Sequence, residues 1–409
     1  MIEIDKVLNT ILNESIELPK ILVQGLTNNS SKVKKGYIFF AFKGENYDGN
    51  DFIEDAFKNG ACLAITDSNK LESQKNVVKV EDVRIAAGIA CSNFYNFPQN
   101  KVKLIGITGT NGKTSTSTIL KSILDAKNEK TIQIGTSGIK PSIEINPGLT
   151  TPDIFDLYEI LNYAVNENYK NVILEVSSHA LSQRRIENIF FDITAFTNLT
   201  HDHLDYHKTM DKYFSEKLKL FNLNKDNGSS VVMIDDEYGK RIAELNSNVK
   251  CISLKNEDAD YFCTSHSINS FGLAGTLAWD SETLDFESKL IGSFNLENLI
   301  LAISIAIELN ISAQSIAKGI ENCTNIDGRL HLVENQKNQM IFLDYAHSPD
   351  AYFRTLKALE ENFCRPLKVL FGAGGGRDKS KRPKMAEVVE KYSIECYLCL
   401  LYTSDAADD

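Results

Sequence analysis

The sequence predicts an α/β protein built on a mostly parallel sheet, and three observations predict it. Short apolar runs at 102–107, 131–135, 171–176, 192–197 and 230–234 alternate with helical patterns at 114–127, 153–167, 210–221 and 295–309. Runs with no polar alternation read as strands buried on both faces, the signature of a parallel sheet covered by helices. The first run enters Gly109, Asn111 and Gly112, and Lys113 and Thr114 then open a helical pattern. Such turns gather ligands at the carboxyl ends of parallel strands. Finally, 409 residues with 43% hydrophobic and 24% charged content suit a globular chain, with room for roughly two to four domains.

The elements follow in order. Residues 1–100 form a first domain, with a helix at 4–12, strands at 37–42, 61–66 and 77–80, and helices at 52–58 and 83–95. Pro98 and its polar neighbours make 97–101 a linker. The central domain, 101–325, holds the alternating pattern described above. Between 251 and 292 the short strand-like segments 261–263, 277–279 and 284–286 predict a small antiparallel addition. A third domain, 326–409, shows strands at 340–344 and 367–371 and helices at 351–362 and 384–392. That is the front half of an α/β domain.

Charge and composition narrow the function. A net charge of −11 argues against nonspecific nucleic-acid binding, which needs a basic face. The first twenty residues mix Glu, Asp, Lys and Asn and do not form a secretory leader, and no apolar run reaches membrane-spanning length. Eight cysteines are scattered, and only Cys396 and Cys399 form a C-x-x-C pair, which reads as chance. Reduced thiols and a cytoplasmic location are expected.

The motif 105–118 carries the most chemistry. Glycines let backbone N–H groups close around phosphate oxygens, Lys113 adds a point charge, and the Thr114 hydroxyl can hold Mg²⁺. The usual pattern has a further glycine five residues before the Gly-Lys pair, where this chain has Ile107. Glu175 follows a neighbouring strand and suits a nucleotide-bound Mg²⁺. Three histidines and two aspartates between His201 and His207 suit zinc or a hard cation, and the phosphate loop favours the latter. Lys212, Lys217 and Lys219 read as a solvated helix face, and spacing cannot choose among them. Asn295 reads as a helix cap or a base contact, with the cap the better generic expectation. Arg329 and Asp344 are polar groups at element ends suited to a nucleotide. The turn 372–377, ending in Arg377, looks like a carboxylate or phosphate receptor.

Together these pieces resemble the Mur ligase family. The resemblance rests on Gly109–Thr114, Thr150-Thr-Pro-Asp153, Glu175-Val-Ser-Ser-His179, Asp202-His-Leu-Asp-Tyr-His207, Phe294-Asn-Leu-Glu-Asn298, Gly328-Arg329 and Asp344-Tyr-Ala-His347, spread over most of 20–385. It implies a three-domain architecture: an N-terminal UDP-substrate domain, a central ATP-binding domain, and a Rossmann-like C-terminal domain that is incomplete here. The Thr-Thr-Pro, Asp-His-Leu-Asp-Tyr-His and Gly-Gly-x-Arg-Asp-Lys segments resemble members that add the third residue of the peptidoglycan stem peptide. The implied reaction joins meso-diaminopimelate or L-lysine to UDP-N-acetylmuramoyl-L-alanyl-D-glutamate through an acyl phosphate, using ATP and two Mg²⁺.

By the same resemblance, Gly109, Thr110, Asn111, Gly112, Lys113, Thr114, Asn295, Arg329 and Asp344 match ATP-binding positions. Thr114, Glu175, His203 and Lys217 match metal positions, Lys217 as a carbamate; Lys113, Lys217 and His203 are the catalytic candidates. Ser30, Thr150, Thr151, Ser177, Gln183 and Arg185 match positions for the UDP-substrate, and Arg377 faces the incoming amino acid. A monomer is expected.

The chain departs from the family twice. Asn29-Ser30-Ser31 stands where the uridine segment usually reads Asp-Ser-Arg. The sequence also stops before the family's amino-acid selectivity motif, and roughly the last fifteen residues are expected to be non-native. Other readings of the same motifs are another Mur ligase, a folylpolyglutamate-synthase-like enzyme, or a nucleotide-binding module without synthetic chemistry.

Overall fold

The computed structural model describes residues 2–11, 20–44, 47–69, 76–145, 148–337, 339–373 and 381–400. Along the chain come β1 (Ile2–Glu3), α1 (Ile4–Val7), β2 (Leu22–Val23), β3 (Gly25–Thr27), β4 (Tyr37–Phe40), α2 (Ile53–Lys58), β5 (Ala61–Thr66), β6 (Val77–Lys79) and α3 (Val83–Phe94). Then follow β7 (Lys103–Thr108), α4 (Lys113–Ala126), β8 (Thr131–Gly135), β9 (Gly138–Lys140), α5 (Ile154–Asn166), β10 (Asn171–Glu175), α6 (Ser178–Ser182), β11 (Phe191–Phe196), α7 (Leu204–His207) and α8 (Met210–Leu218). After these come β12 (Asn224–Met233), α9 (Glu237–Leu245), β13 (Val249–Ser253), β14 (Tyr261–Asn269), β15 (Gly272–Trp279), β16 (Glu282–Ser288), α10 (Ser293–Glu308) and α11 (Ala313–Asn322). The last elements are β17 (His331–Leu332), β18 (Phe342–Leu343), α12 (Pro349–Phe363), β19 (Leu367–Ala373), α13 (Lys381–Tyr392) and β20 (Ser393–Leu400).

The chain divides into two compact units. One comprises Met1–Lys103, Pro152–Asn168 and His179–Phe190. Its sheet runs β3-β4-β5-β6, all parallel. Alternate residues Phe39, Ala41 and Ala64 face a core closed by Ile53 and Ala56 of α2. Helix α5, read from sequence as part of the central domain, groups with this unit. Its Phe155 ring lies 5.4 Å from Phe40 and 5.8 Å from Phe42, so its apolar face finds its partner among the first hundred residues.

The second unit comprises Leu104–Thr151, Tyr169–Ser178 and Phe191–Asp409. Its ten-stranded sheet has the order β16-β15-β14-β13-β12-β11-β7-β10-β8-β9. The pairs β11–β7, β11–β12, β12–β13 and β10–β8 are parallel, and β14–β15–β16 form the antiparallel addition. Ile119, Leu120, Ile123 and Leu124 share one side of α4 and pack with Leu299, Ile303 and Ile320 in one buried core. These positions recur at helical spacing, so one stripe buries against the sheet and α10. Further along, α12 and α13 pack Tyr352, Leu356, Met385 and Val389 against Val369 and Phe371 of β19.

The differences from the sequence reading have local causes. Strand β12 begins at Asn224, six residues before the apolar run, because Phe191 already pairs with Asn224. The expected strand at 340–344 contracts to Phe342–Leu343. The opening helix at 4–12 ends at Val7. Helix α9, which the apolar pattern does not reveal, is started by Asp236, whose carboxylate accepts N–H bonds from Tyr238 and Gly239.

Candidate active site

The phosphate loop runs from the end of β7 to the start of α4, with β10 and β11 on either side of β7. Gly109 has φ +148°, and a Cβ there would lie 1.9 Å from Thr197 Oγ1. Only glycine fits a backbone pressed that closely on the neighbouring strand end. Helix α4 has no side-chain cap, so its first-turn N–H groups face outward with the positive end of the helix dipole. Lys113 Nζ curls over the loop and donates to Gly109 O at 2.9 Å and Thr110 O at 2.8 Å.

Glu175 sits at the end of β10, fully buried. Its carboxylate accepts hydroxyls from Thr114 and Thr136, each at 3.0 Å, and from Ser117 at 3.4 Å. Among the described residues no lysine or arginine comes within ion-pair distance of it. A buried carboxylate ringed by hydroxyls at the mouth of a phosphate loop is an all-oxygen donor set, which fits a hard cation such as Mg²⁺. Thr114 and Glu175 are the residues that could hold it. Thr150 Oγ1 meets Thr136 Oγ1 at 3.2 Å, while Thr151 Oγ1 donates to Glu175 O at 2.8 Å and accepts the Ser177 N–H at 3.0 Å. Thr150, Thr151 and Ser177 therefore gather around the same strand end.

Tertiary structure chooses among the lysines that sequence left open. Lys212 and Lys219 are exposed, whereas Lys217 is only 1% exposed. Its Nζ donates to Gly109 O at 2.8 Å and lies 4.8 Å from the Tyr213 ring centre. Burial, reinforced by the positive charge of Lys113 and opposed by Asp202, pushes the Lys217 amine well below the usual lysine range. Burial also lowers Lys113, partly offset by Glu175. One face of the loop thus holds two amines on the same Gly109 carbonyl.

His203 adopts φ +52° before α7 and lies 5.9 Å from the Tyr213 ring, centre to centre. Asp202 stands 3.7 Å from His203 Nε2 and 3.5 Å from His347 Nε2. Burial works to raise the Asp202 carboxyl, but the hydrogen bond from His347 and the charges of His203, His347 and Lys381 hold it well below the carboxylate range. His207 turns away to Ser178 Oγ at 2.9 Å. Among the described residues no group of three or more His, Cys, Asp or Glu side chains is placed to hold a metal ion.

Asn295 is not a helix cap. Gly292 takes that position, and Asn295 is buried inside the first turn of α10, donating to Ile291 O at 2.9 Å. Asn298, one turn later, donates through Nδ2 to Asn295 Oδ1 at 3.3 Å and accepts the Thr116 hydroxyl at 3.4 Å, so the pair faces α4. Arg329 Nη2 reaches Thr114 Oγ1 at 3.3 Å, and its guanidinium stacks 4.6 Å from the Tyr345 ring centre. Asp344 accepts N–H bonds from Leu330 and Ala346 and a hydroxyl from Thr355, which fixes the turn that carries Arg329.

Three expected substrate residues lie in the other unit. Ser30 starts a short 3₁₀ turn capped by Asn29, whose Oδ1 accepts the Ser31 N–H at 2.9 Å. Arg185 donates to Gln183 Oε1 through Nε at 3.0 Å and Nη2 at 2.6 Å. Arg377 lies outside the described residues. Sequence reasoning missed Thr197, Asn198, Asp202, Tyr213 and His347 as individual parts of the site. For Thr197, Asn198 and Asp202 the available signal was their position just past the end of β11, beside the phosphate loop.

Three family models match the chain: Mur ligase family, catalytic domain, over 22–95; Mur ligase middle domain, over 107–306; and Mur ligase, glutamate ligase domain, over 328–408. The chain is 39% identical over 383 residues to a UDP-N-acetylmuramoyl-L-alanyl-D-glutamate–2,6-diaminopimelate ligase of Caldanaerobacter subterraneus subsp. tengcongensis, covering 93% of this chain and 79% of that one. An enzyme of the same name from Fusobacterium nucleatum is 39% identical over 376 residues, covering 90% of this chain and 76% of its own. A solved structure of a ligase with that name superposes with a TM-score of 0.77 at 27% identity, covering 99% of this chain and 83% of that one.

Proposed function

The chain belongs to the Mur ligase family, and on that premise we propose that it is an ATP-dependent ligase of the MurE type. It joins a diamino acid to UDP-N-acetylmuramoyl-L-alanyl-D-glutamate in peptidoglycan synthesis. The names of the relatives favour 2,6-diaminopimelate over L-lysine as the diamino acid. The reading includes the three-domain division 1–100, 101–325 and 326–409, and a monomeric enzyme of the cytoplasm. Among the described residues no helix is long and apolar enough to cross a membrane.

The observation that carries this reading is the meeting of Lys113, Lys217, Thr114 and Glu175 around one phosphate loop. The chemical obstacle is bringing a carboxylate against a γ-phosphate, both anionic. The loop N–H groups, the α4 dipole and Lys113 place positive charge where the phosphates lie. Arg329, stacked on Tyr345 and touching Thr114, adds a fixed planar cation. Thr114 and Glu175 would hold Mg²⁺, which would supply further charge neutralisation. The D-glutamyl side-chain carboxylate attacks the γ-phosphorus, ADP leaves, and the acyl phosphate is aminolysed by the diamino acid, releasing phosphate. Holding the partners in contact converts a bimolecular encounter into a local one.

Lys217 has the environment its role requires. A surface lysine is almost entirely protonated at neutral pH, whereas burial beside Lys113 lowers the Lys217 amine well below that range and so favours its neutral form. A neutral amine adds CO₂ at carbon and loses one proton, giving an anionic carbamate. With His203 it would hold the substrate-side Mg²⁺.

The test is ADP release by the purified protein. Release should require both the UDP-muramoyl dipeptide and a diamino acid, and should vanish in Lys113→Ala. Turnover with a pteroyl substrate in place of the muramoyl dipeptide would overturn the assignment.

A further inference from the structure

We propose that Thr197 and Asn198 are positioning residues that lock the Asn111–Gly112 peptide of the phosphate loop in the one orientation that presents its N–H to phosphate. The inference rests on the ATP-binding reading above and adds the residues that hold the loop in shape.

The geometry is specific. Asn198 Oδ1 accepts the Asn111 N–H at 3.0 Å, and Asn198 Nδ2 donates to Asn111 O at 3.2 Å. A side-chain amide has one acceptor end and one donor end. A single rotamer therefore satisfies both backbone groups of Asn111 at once, and no flipped peptide can do so. Thr197 Oγ1 donates to the same Asn111 carbonyl at 2.6 Å, and Asn198 O accepts the Thr110 N–H at 2.8 Å. Thr197 and Asn198 are 4% and 7% exposed, so water does not compete for these bonds.

The lock has work to do because of the glycines. Gly112, which directly follows Asn111, has positive φ, as does Gly109 two residues before it, and the freedom of Gly112 lets the Asn111–Gly112 peptide rotate with little steric penalty. A rotated Asn111–Gly112 peptide would turn the Asn111 carbonyl toward the phosphates and replace attraction with repulsion. The Asn111 side chain is held as well, donating to Thr200 Oγ1 at 3.2 Å and Asp350 Oδ2 at 3.4 Å. The Asn111 N–H, carbonyl and side-chain Nδ2 are thus committed to protein partners. The N–H groups left for phosphate are those of Gly112, Lys113 and Thr114.

The experiment measures ATP, ADP and AMP affinity by calorimetry on the full chain in Mg²⁺ buffer, with thermal unfolding followed in parallel. The variants are Asn198→Ala, Thr197→Ala and the conservative Thr197→Ser. Each alanine variant should weaken ATP and ADP by about tenfold, the effect of one or two lost hydrogen bonds on loop order, while AMP changes by less than about twofold. Thr197→Ser, which keeps the hydroxyl, should restore ATP affinity. A merely structural role would weaken all three nucleotides alike, and that result overturns the proposal. Unchanged ATP affinity in a folded alanine variant overturns it too. Should Asn198→Ala not fold, the Thr197 pair gives the same comparison. Absence of ATP binding in the unaltered protein would instead remove the reading beneath it.

Discussion

Replacing Gly109 by alanine tests the site where backbone geometry and chemistry meet. At φ +148° the new Cβ would lie 1.9 Å from Thr197 Oγ1, 3.0 Å from Asn198 O and 3.1 Å from Asn198 N. The backbone conformation alone costs about 1–3 kcal/mol for a residue with a side chain. Relieving the overlap means moving Thr197, which breaks its 2.6 Å bond to Asn111 O and adds about 1 kcal/mol. The sum is about 2–4 kcal/mol. The loop can relieve this by opening without unfolding the sheet behind it. The effect should therefore appear mostly as a loss of ATP affinity, about 30-fold to 1,000-fold, with a smaller change in global stability. Gly138→Ala is the matched control, since Gly138 also has positive φ (+80°) but nothing stands within 4 Å of its added Cβ. Calorimetric titration of both variants with ATP provides the measurement. If Gly109→Ala binds ATP within about threefold of the parent, or Gly138→Ala loses as much, steric closure of the loop is not what shapes it.

Other consequences are as direct. Burial lowers Lys217 below its unfolded-state pKa, so between the two values the unfolded chain holds a proton the folded chain lacks. Stability should rise with pH across that window and be lost as pH falls through it, by at most about 1.4 kcal/mol per pH unit. Lys217→Met should flatten this slope in denaturant titrations at pH 7 to about 10 in CO₂-free buffer; parallel curves would refute it. Asp156 shows the opposite sign: burial, with Asp153 beside it, raises its carboxyl from 3.8 to about 6, against a lowering by Lys32. The folded chain there keeps a proton that the unfolded chain has released, so stability falls as pH rises from about 4 to about 6, by at most about 3 kcal/mol. Asp156→Asn should remove that fall and stabilise the protein at pH 7, as read from urea midpoints. Leu120→Ala, fully buried behind the phosphate loop, should cost about 2–5 kcal/mol in urea unfolding. A loss under about 1 kcal/mol would mean the core there is loosely packed.

The legible parts of the site were those bound to local backbone geometry. Gly-Lys-Thr after an apolar run can be read because strand, turn and helix start are consecutive in the chain, and α4 duly starts at Lys113. Glu175 was legible for the same reason, as an acidic residue ending an apolar run. Lys217 was not. Lys212, Lys217 and Lys219 are alike by composition, and only the packing of α8 against the loop buries Lys217, with Tyr213 one turn before it, and leaves the others in water. The generic expectation that Asn295 caps α10 does not hold, because Gly292 takes that position and has no side chain to announce it.

By itself the sequence determined the alternation of strand and helix, the phosphate loop and the acidic strand end, since each depends on neighbours within a few residues. Folding alone decided the rest. It grouped α5 with the first hundred residues, ran β7 between β10 and β11, and brought Thr197 and Asn198 onto Asn111 across more than eighty residues of chain. Periodicity shows which face of an element is apolar, not which element will cover it. That choice depends on the summed burial of the whole unit, and with it go the protonation of Lys217 and the shape of the loop beside it.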